Sequence, residues 1–189
     1  ASRLATTVLT VFGAMLLLFS LSSLVPGDPA TALLGPQATP ELSRQFIREM
    51  GLDQPLPIGH GATNSQPWTV QFMLELLRVT EGATVLDVGS GSGWTTALLA
   101  HLTGPRGTVL GVEIVPELVA MGRAHLTALN LPWARIEPAV PHRRGAPDEG
   151  PFDRILVSAD PGTIPADLEQ QLAVGGRMVL PVAGVMWVV

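Results

Sequence analysis

Three glycines at a spacing of two residues, Gly89, Gly91 and Gly93, directly follow an apolar stretch of the chain. Glycine permits the tight turn and the close backbone approach that a ligand at a sheet edge requires. Asp87 lies two residues before this loop, and Glu113 lies 20 residues after it. A carboxylate at the position of Glu113 can accept hydrogen bonds from both ribose hydroxyls, because it has two acceptor oxygens. The spacing therefore predicts a site for a nucleoside cofactor.

The residues of this loop distinguish between two classes of cofactor. Dinucleotide-binding loops read GxGxxG, and the helix N-terminus that follows them receives a pyrophosphate. From Asp87 to Gly93 the chain reads DVGSGSG instead, with an acid inside the motif. An acid favours a ligand with an amine and a sulfonium over one with phosphates, and the pattern resembles the first motif of S-adenosylmethionine-dependent methyltransferases. Two structural alternatives stay open: Asp87 as a strand-end cap and Glu113 as a solvated acid.

The elements that must position these residues alternate between strand and helix patterns from Ile58 onward, which is typical of a parallel α/β sheet. A parallel sheet would bring Asp87 and Glu113 to the same edge, because each lies at or near the end of a predicted strand. The predicted strands are Ala83–Val88, Thr108–Glu113, Phe152–Ser158, Arg177–Pro181 and Val185–Val189. The predicted helices begin near Pro67, span Ser92–Leu102 and run from Pro116 to Asn130.

Further segments narrow the resemblance to one family. They are PIGHGATNSQP from Pro57, VLDVGSGSGW from Val85, VEIVPEL from Val112, PFDRILVSAD from Pro151 and IPADLEQQLAVGGRMVLPVAG from Ile164. Together they resemble the protein-L-isoaspartate O-methyltransferases through most of residues 57–184. The resemblance implies a Rossmann-like sheet with helices on both faces. It also implies S-adenosyl-L-methionine as cofactor and damaged proteins with isoaspartyl residues as substrates.

The resemblance also assigns the site residues. Ser65 matches the active-site serine of the family, with Thr63 beside it. The predicted cofactor-binding residues are Asp87, Gly89, Ser90, Gly91, Gly93 and Glu113. The residue pattern alone favours a different role for Ser65, a helix N-cap ahead of Pro67.

The implied reaction transfers a methyl group to the α-carboxylate that is exposed at an isoaspartyl residue. A carboxylate is ionised at neutral pH, so the reaction needs no strong general base. Catalysis would come from alignment and desolvation, and Ser65 would position the carboxylate through a hydrogen bond.

Several residues depart from the family pattern. Ala62 and Asn64 stand where the family has Gln and Ile, and we expect them to loosen the active-site segment. The Gly-Asp-Gly that helps to hold the adenine is missing, and Asp148 and Glu149 lie too far along the chain to replace it. The family has strands beyond Val189, so we expect a C-terminally truncated sheet.

The first part of the chain has a different character. Leu4 to Gly27 contain no charged residue, and 24 residues suffice for a transmembrane helix. A signal peptide is the alternative, although its apolar region is usually shorter. The segments LVPGDPATALLG, ATPE and GLDQPLP resemble the start of the inner-membrane permeases of peptide ABC importers. We therefore predict a membrane segment over 1–56, with a span over 4–27, and a methyltransferase domain over 57–189.

These two parts conflict, because S-adenosylmethionine is made in the cytosol, whereas a single Arg before the span predicts that the remainder lies outside. We expect a cytoplasmic methyltransferase part and a membrane anchor for the chain as written. A junction of unrelated coding segments near Gly51–Pro57 and a natural anchored enzyme with the opposite topology both stay open.

Composition excludes several other functions. The net charge of −5 provides no basic surface for nucleic acid, and the absence of cysteine excludes thiolate chemistry. The four histidines lack the spacing of metal ligands, and His60 alone is a weak candidate for the substrate side. Arg143 and Arg144 are predicted to be a solvated pair in a loop, and a role toward an acidic substrate is the alternative. Three functions remain: a methyltransferase, a permease fragment and a cofactor-binding module without catalysis.

Overall fold

The computed structural model of the protein describes residues 39–189 as eight strands and five helices. The strands are β1 (Leu56–Gly59), β2 (Ala62–Asn64), β3 (Thr84–Val88), β4 (Thr108–Glu113), β5 (Ala134–Pro138), β6 (Phe152–Val157), β7 (Leu172–Val182) and β8 (Val185–Val188). The helices are α1 (Pro40–Glu49), α2 (Pro67–Leu77), α3 (Trp94–Thr103), α4 (Pro116–Ala128) and α5 (Ala166–Glu169). Of the described residues, 39–54 and 66–68 belong to one compact unit, and 55–65 and 69–189 belong to a second.

Six strands form the main sheet in the order β5-β4-β3-β6-β7-β8. The first five strands are parallel, and β8 pairs antiparallel with β7. From β3 the chain proceeds outward through β4 to β5, and it then returns to place β6 on the other side of β3. The order therefore reverses between β3 and β6, and in open parallel sheets ligands bind outside the carboxyl ends of the strands at such a point.

The core forms where the central strands meet the helices. Leu86 of β3, Leu110 of β4 and Ile155 of β6 are all at most 4% exposed. Burying such side chains contributes about 1.5–3 kcal/mol each. Helix α3 is buried from Trp94 through Ala100, as its nearly continuous apolar sequence requires. It packs against β3, β4 and β5, so the loop that precedes it is held against the sheet edge.

The connections also separate the helices between two faces. Crossovers between parallel strands are right-handed, and the step from β3 to β4 runs opposite to the step from β6 to β7. Helices α3 and α4 therefore cover one face, and α5 lies on the other. This arrangement agrees with the α/β architecture predicted from the sequence.

The structure confirms the strand over Thr108–Glu113 and the helix that begins near Pro67, whose buried residues are Val70, Met73, Leu74 and Leu77. The helix predicted from Ser92 begins instead at Trp94, because Gly93 has a φ of 81° and cannot be helical. The strand predicted over Arg177–Pro181 is longer, since β7 begins at Leu172. The hairpin of β1 and β2, strand β5 and helix α5 were not predicted. Pro57 and Gly59 within β1 obscure its strand pattern, because both residue types are depleted in strands.

Helix α1 begins at Pro40, directly after Thr39. The Thr39 hydroxyl oxygen accepts a hydrogen bond from the Leu42 amide at 3.2 Å, which makes Thr39 the N-cap. The predicted membrane span over 4–27 lies outside the described residues. Among residues 39–189, no helix combines the length and the hydrophobicity that crossing a bilayer requires.

Candidate active site

A cavity of about 340 Å³ lies at the carboxyl ends of β3, β4 and β6, where the strand order reverses. Five segments line it: the β1–β2 hairpin with Ser65, the glycine loop with the start of α3, the end of β4, the loop 139–150 between β5 and β6, and the residues that follow β6. Six of the eight predicted site residues are in this lining, namely Thr63, Ser65, Gly89, Ser90, Gly91 and Glu113. The other two, Asp87 and Gly93, are not among the lining residues.

The glycine loop crosses from the end of β3 toward β4. The amides of Gly89 and Ser90 both donate to the carbonyl oxygen of Val112, at 2.9 and 3.2 Å. Gly91 has a φ of 52°, and a Cβ atom there would lie 3.1 Å from Cδ1 of Ile58. Gly93 serves packing instead, because a Cβ atom there would lie 2.9 Å from Cα of Gly122 on α4. The loop therefore presents backbone, and little side-chain volume, to the cavity.

Asp87 is fully buried at the end of β3. Its Oδ2 atom accepts hydrogen bonds from the hydroxyls of Thr95 and Thr96, both at 2.7 Å, which ties β3 to the first turn of α3. Burial raises the pKa of Asp87 from 3.8 to about 6, the two threonine hydroxyls oppose this rise, and the charge of Glu113 adds to it. Asp87 thus has a structural role, but its Oδ1 atom has no partner.

Glu113 ends β4 and is only 7% exposed, so the alternative of a solvated acid is wrong. Its Oε1 atom accepts from the amides of Ile114 and Val115, at 2.7 and 3.0 Å. Its Oε2 atom accepts from the amide of Gly91 at 2.9 Å. The two amides occupy Oε1, whereas Oε2 retains capacity for one further hydrogen bond. In this structure Oε2 is thus the atom of Glu113 that can accept from a ribose hydroxyl.

Unpartnered polar atoms concentrate around this cavity. Among the described residues, five buried side-chain polar atoms lack a hydrogen-bond partner, and Asp53 in the other unit holds one of them. The other four are Oδ1 of Asp87, Oγ of Ser90, Nε1 of Trp94 and Oγ of Ser158. Each such atom costs about 1–3 kcal/mol when it is buried without a partner. Their clustering indicates a ligand that supplies both donors and acceptors.

The hairpin of β1 and β2 brings the predicted substrate-side residues to the cavity. Thr63 is exposed and Ser65 is half-buried, and both line the cavity. Gln66 occupies the N-cap position ahead of α2, so Ser65 lies one residue before the cap. Asn64 does not loosen this segment as expected, because its Oδ1 accepts a 2.9 Å hydrogen bond from the hydroxyl of Ser92. This bond joins the hairpin to the glycine loop.

The loop 139–150 occupies the place where the family pattern Gly-Asp-Gly is missing. Arg143 and Arg144 are exposed in this loop, as expected for a solvated pair, and both also line the cavity. The acids Asp148 and Glu149 form exposed ion pairs with Arg143 and Arg135. Neither acid lines the cavity, as the sequence spacing predicts.

A family model for protein-L-isoaspartate(D-aspartate) O-methyltransferase matches residues 41–186, which is more than half of the chain. The chain belongs to this family. The match includes residues 41–56, which the sequence analysis assigned to a permease-like segment, and the comparisons do not support that segment. The α/β architecture is accordingly that of an S-adenosylmethionine-dependent methyltransferase.

Curated relatives agree with this assignment to the O-methyltransferase family. A protein-L-isoaspartate O-methyltransferase of Anaeromyxobacter dehalogenans is 48% identical over 145 residues, which cover 75% of this chain and 66% of the relative. One from Methanothrix thermoacetophila is 44% identical and covers 69% of this chain and 61% of the relative. The chain thus spans slightly less than two thirds of the length of these relatives.

Solved structures of the family have the same fold. A Plasmodium falciparum protein described as a protein-L-isoaspartate O-methyltransferase in complex with S-adenosyl-L-homocysteine superposes with a TM-score of 0.63 at 26% identity. The superposition covers 89% of this chain and 83% of that protein. Another protein-L-isoaspartate O-methyltransferase superposes with a TM-score of 0.65 at 23% identity. The superposition covers 88% of this chain and 54% of that protein, and at this identity it supports the fold alone.

Sequence reasoning missed Trp94 and Ser158 as candidate ligand contacts of this family member. Trp94 follows the last glycine of the motif, and Ser158 follows β6, the strand that pairs with β3. Ser158 lies at the end of a predicted strand, but this position indicates a ligand contact only once that strand is known to lie next to β3. His60 lies at the exposed tip of the hairpin and is not part of the cavity lining. Among the described residues, no group of histidines and acids has the arrangement of a metal site.

Proposed function

We propose that this protein transfers the methyl group of S-adenosyl-L-methionine to the α-carboxylate of L-isoaspartyl residues in damaged proteins. The observation that carries this proposal is the cavity itself. It brings a glycine loop, and unpartnered buried polar atoms in and around that loop, next to Ser65 at the reversal point of the sheet. Membership of the O-methyltransferase family supports the same reaction.

The residues of the cavity fit the cofactor that the family implies. The backbone of Gly89 and Gly91 would accommodate it closely, and Oε2 of Glu113 would accept from one ribose hydroxyl. The orphaned hydroxyls of Ser90 and Ser158 and the indole N–H of Trp94 match a ligand with several polar groups. Oδ1 of Asp87 is available to a donor group behind them. When bound, the cofactor supplies a methyl group on a positively charged sulfur.

The substrate side of the cavity suits an acceptor that is already ionised. Thr63, Asn64 and Ser65 are neutral, and the single carboxylate in the lining, Glu113, accepts three backbone hydrogen bonds. None of these groups is a strong base, and a carboxylate acceptor requires none at neutral pH. Ser65 would donate a hydrogen bond to one carboxylate oxygen and leave the other oxygen to attack. The work of the protein is then alignment and the exclusion of water.

Methyl ester formation tests the proposal directly. The full chain is first titrated with S-adenosyl-L-methionine by calorimetry, and it is then incubated with an isoaspartyl peptide and with the same peptide containing a normal aspartyl residue. We expect binding of the cofactor and base-labile methyl esters on the isoaspartyl peptide alone. Equal labelling of both peptides, or no ester at all despite cofactor binding, would contradict the proposed reaction.

A cofactor-binding module without catalysis is the second candidate. The loop 139–150 favours it, because this loop lacks the Gly-Asp-Gly pattern and none of its acids lines the cavity. Cofactor binding without ester formation would support this second function.

Attachment to a membrane through residues 4–27 depends on hydropathy alone. Carbonate extraction of membranes from expressing cells separates the outcomes. An inserted span keeps the full chain in the pellet, and release into the supernatant would contradict it.

A further inference from the structure

Two adjacent arginines give the cavity a charge that the proposed reaction itself does not use. Among the described residues, Arg143 and Arg144 line it together with one carboxylate, that of Glu113. Three backbone amides already donate to the oxygens of Glu113. The lining therefore has an excess of positive charge beside the segment that contains Ser65.

The backbone that presents these arginines is held by a buried side chain from a distant part of the sequence. Gln171 is only 5% exposed, and its Nε2 atom donates to the carbonyl oxygens of Arg144 and Asp167, at 2.9 and 2.8 Å. Its Oε1 atom accepts from the amide of Ala146 at 2.9 Å. Gly145, between the two anchored residues, leaves no room for a side chain, since a Cβ atom would lie 2.7 Å from Cδ2 of Leu168. Because this backbone is already fixed, less conformational entropy is lost when a ligand orders the two arginine side chains.

The present partners of the two arginines are weak competitors for a ligand. Arg143 lies 3.0 Å from the carboxylate of Asp148, whose side chain is 82% exposed. Arg144 lies 3.5 Å from the carboxylate of Asp167, and both of these side chains are about half exposed. Exposed ion pairs of this kind contribute about 0–1 kcal/mol. An incoming carboxylate can therefore displace them, with the bidentate geometry that a guanidinium favours.

The reacting carboxylate is the wrong partner for these arginines. Its charge disappears as the ester forms, so a guanidinium on it would stabilise the bound substrate more than the transition state. A second carboxylate that does not react keeps its charge throughout the reaction. Arginine contacts to such a group improve binding without opposing the chemistry.

We propose that Arg143 and Arg144 form a recognition site for the carboxylate of an acidic residue adjacent to the isoaspartyl residue. The inference rests on the proposed function, and it names acidic segments of damaged proteins as the preferred substrates. The carboxylate of the cofactor is the other source of the same chemistry, and the experiment separates the two.

The experiment uses the full chain and three isoaspartyl peptides that differ only in the neighbouring residue, which is Glu, Gln or Lys. kcat/KM is measured for each peptide at low and at high salt. Fluorescence anisotropy with S-adenosyl-L-homocysteine present gives the affinities of the labelled Glu and Gln peptides without turnover. The variants are the double change Arg143→Gln with Arg144→Gln, the corresponding double change to Lys, and Arg106→Gln. Arg106 is the matched control, because it forms an exposed ion pair with Glu81 and precedes β4 at the opposite edge of the sheet.

For the unmodified protein we expect kcat/KM for the Glu peptide to exceed that for the Gln peptide by about fivefold, since 1 kcal/mol corresponds to about that ratio. The Lys peptide should be the poorest, and added salt should reduce the differences. The double Gln variant should bring the Glu-to-Gln ratio close to 1, the Lys variant should retain part of it, and Arg106→Gln should keep it.

Two results would overturn the inference. One is a Glu-to-Gln ratio that the double Gln variant leaves unchanged. The other is a loss of S-adenosyl-L-homocysteine affinity in that variant with no change in peptide preference, which would assign the arginines to the cofactor. If no peptide is methylated, the proposed function fails, and the anisotropy ratio still decides the role of the arginines.

Discussion

The glycine loop and the loop 139–150 line the same cavity by opposite means. The glycine loop is short and buried, and its backbone amides bond to the end of the neighbouring strand β4, from Gly91 to the carboxylate of Glu113 and from Ser90 to the carbonyl oxygen of Val112. The loop 139–150 is longer, its arginines are exposed, and a side chain 25 to 27 residues away fixes its backbone. One wall of the cavity is thus bonded through its backbone to the end of an adjacent strand, and the other depends on the buried side chain of Gln171.

This difference has a functional consequence. The glycine loop and the elements next to it present orphaned buried polar atoms, which favour a single ligand of defined shape. The loop 139–150 presents charges in weak surface pairs, which favour adjustable recognition of a variable partner. We therefore expect changes in the first loop to affect stability and cofactor binding, and changes in the second to affect the choice of substrate.

Gly93→Ala should have the largest effect, because the loop tolerates neither the backbone angle nor the volume of a side chain at this position. The φ of 81° and a clash at 2.9 Å with Cα of Gly122 together should lower the free energy of unfolding by about 2–5 kcal/mol. Chemical denaturation measures this loss. Gly175→Ala is the control, since Gly175 has a φ of 78° with no atom within 4 Å of an added Cβ. Equal losses in the two variants would contradict the packing role of Gly93.

Gln171→Leu tests whether the second wall depends on its distant anchor. Loss of three hydrogen bonds to the backbone should lower the free energy of unfolding by about 2–4 kcal/mol. Hydrogen exchange at the Ala146 amide should accelerate by more than exchange at the Gly91 amide. Uniform acceleration at both amides would indicate that the two walls are not independent.

Asp87→Asn tests the free-energy cost of the buried Asp87 carboxylate, whose Oδ1 atom has no partner. Because the folded-state pKa is raised to about 6, the protonated form stabilises the fold below pH 4, and this stabilisation is lost as the pH rises through 6. Without cofactor, the Asn variant should be more stable than the unmodified protein by about 1–3 kcal/mol at pH 8 and nearly equal at pH 4. Its affinity for S-adenosyl-L-methionine should fall. A stability difference that does not change with pH would refute the raised pKa.

The sequence predicts those parts of the fold that local patterns encode. β4 has the predicted bounds, and α3 follows the predicted glycine loop with a start that shifts by two residues. The β1–β2 hairpin was missed, because its turn at His60 and Gly61 depends on two positive φ angles within a segment that contains proline. Strand β5 lies at the edge of the sheet and has only one fully buried residue, Ile136, so its pattern is weak.

The candidate site divides in the same way. The motif identifies Gly89, Gly91 and Glu113, and the resemblance identifies Ser65. Ser158 and Gln171 could not be found from spacing, because their relevance depends on which strands are neighbours and on contacts across 25 or more residues.

The central claim is that one cavity aligns a methyl donor with a carboxylate held by Ser65. Its most direct test is Ser65→Ala in the full chain, with kcat for an isoaspartyl peptide and the Kd of S-adenosyl-L-methionine measured on the same preparation. Thr127→Ala is the control, because it removes a hydroxyl from the exposed side of α4. We predict a loss in kcat of about 10–100-fold, equivalent to about 1.4–2.7 kcal/mol, with a change in Kd of less than about twofold. An equal loss in both quantities, or an unchanged kcat, would contradict the account.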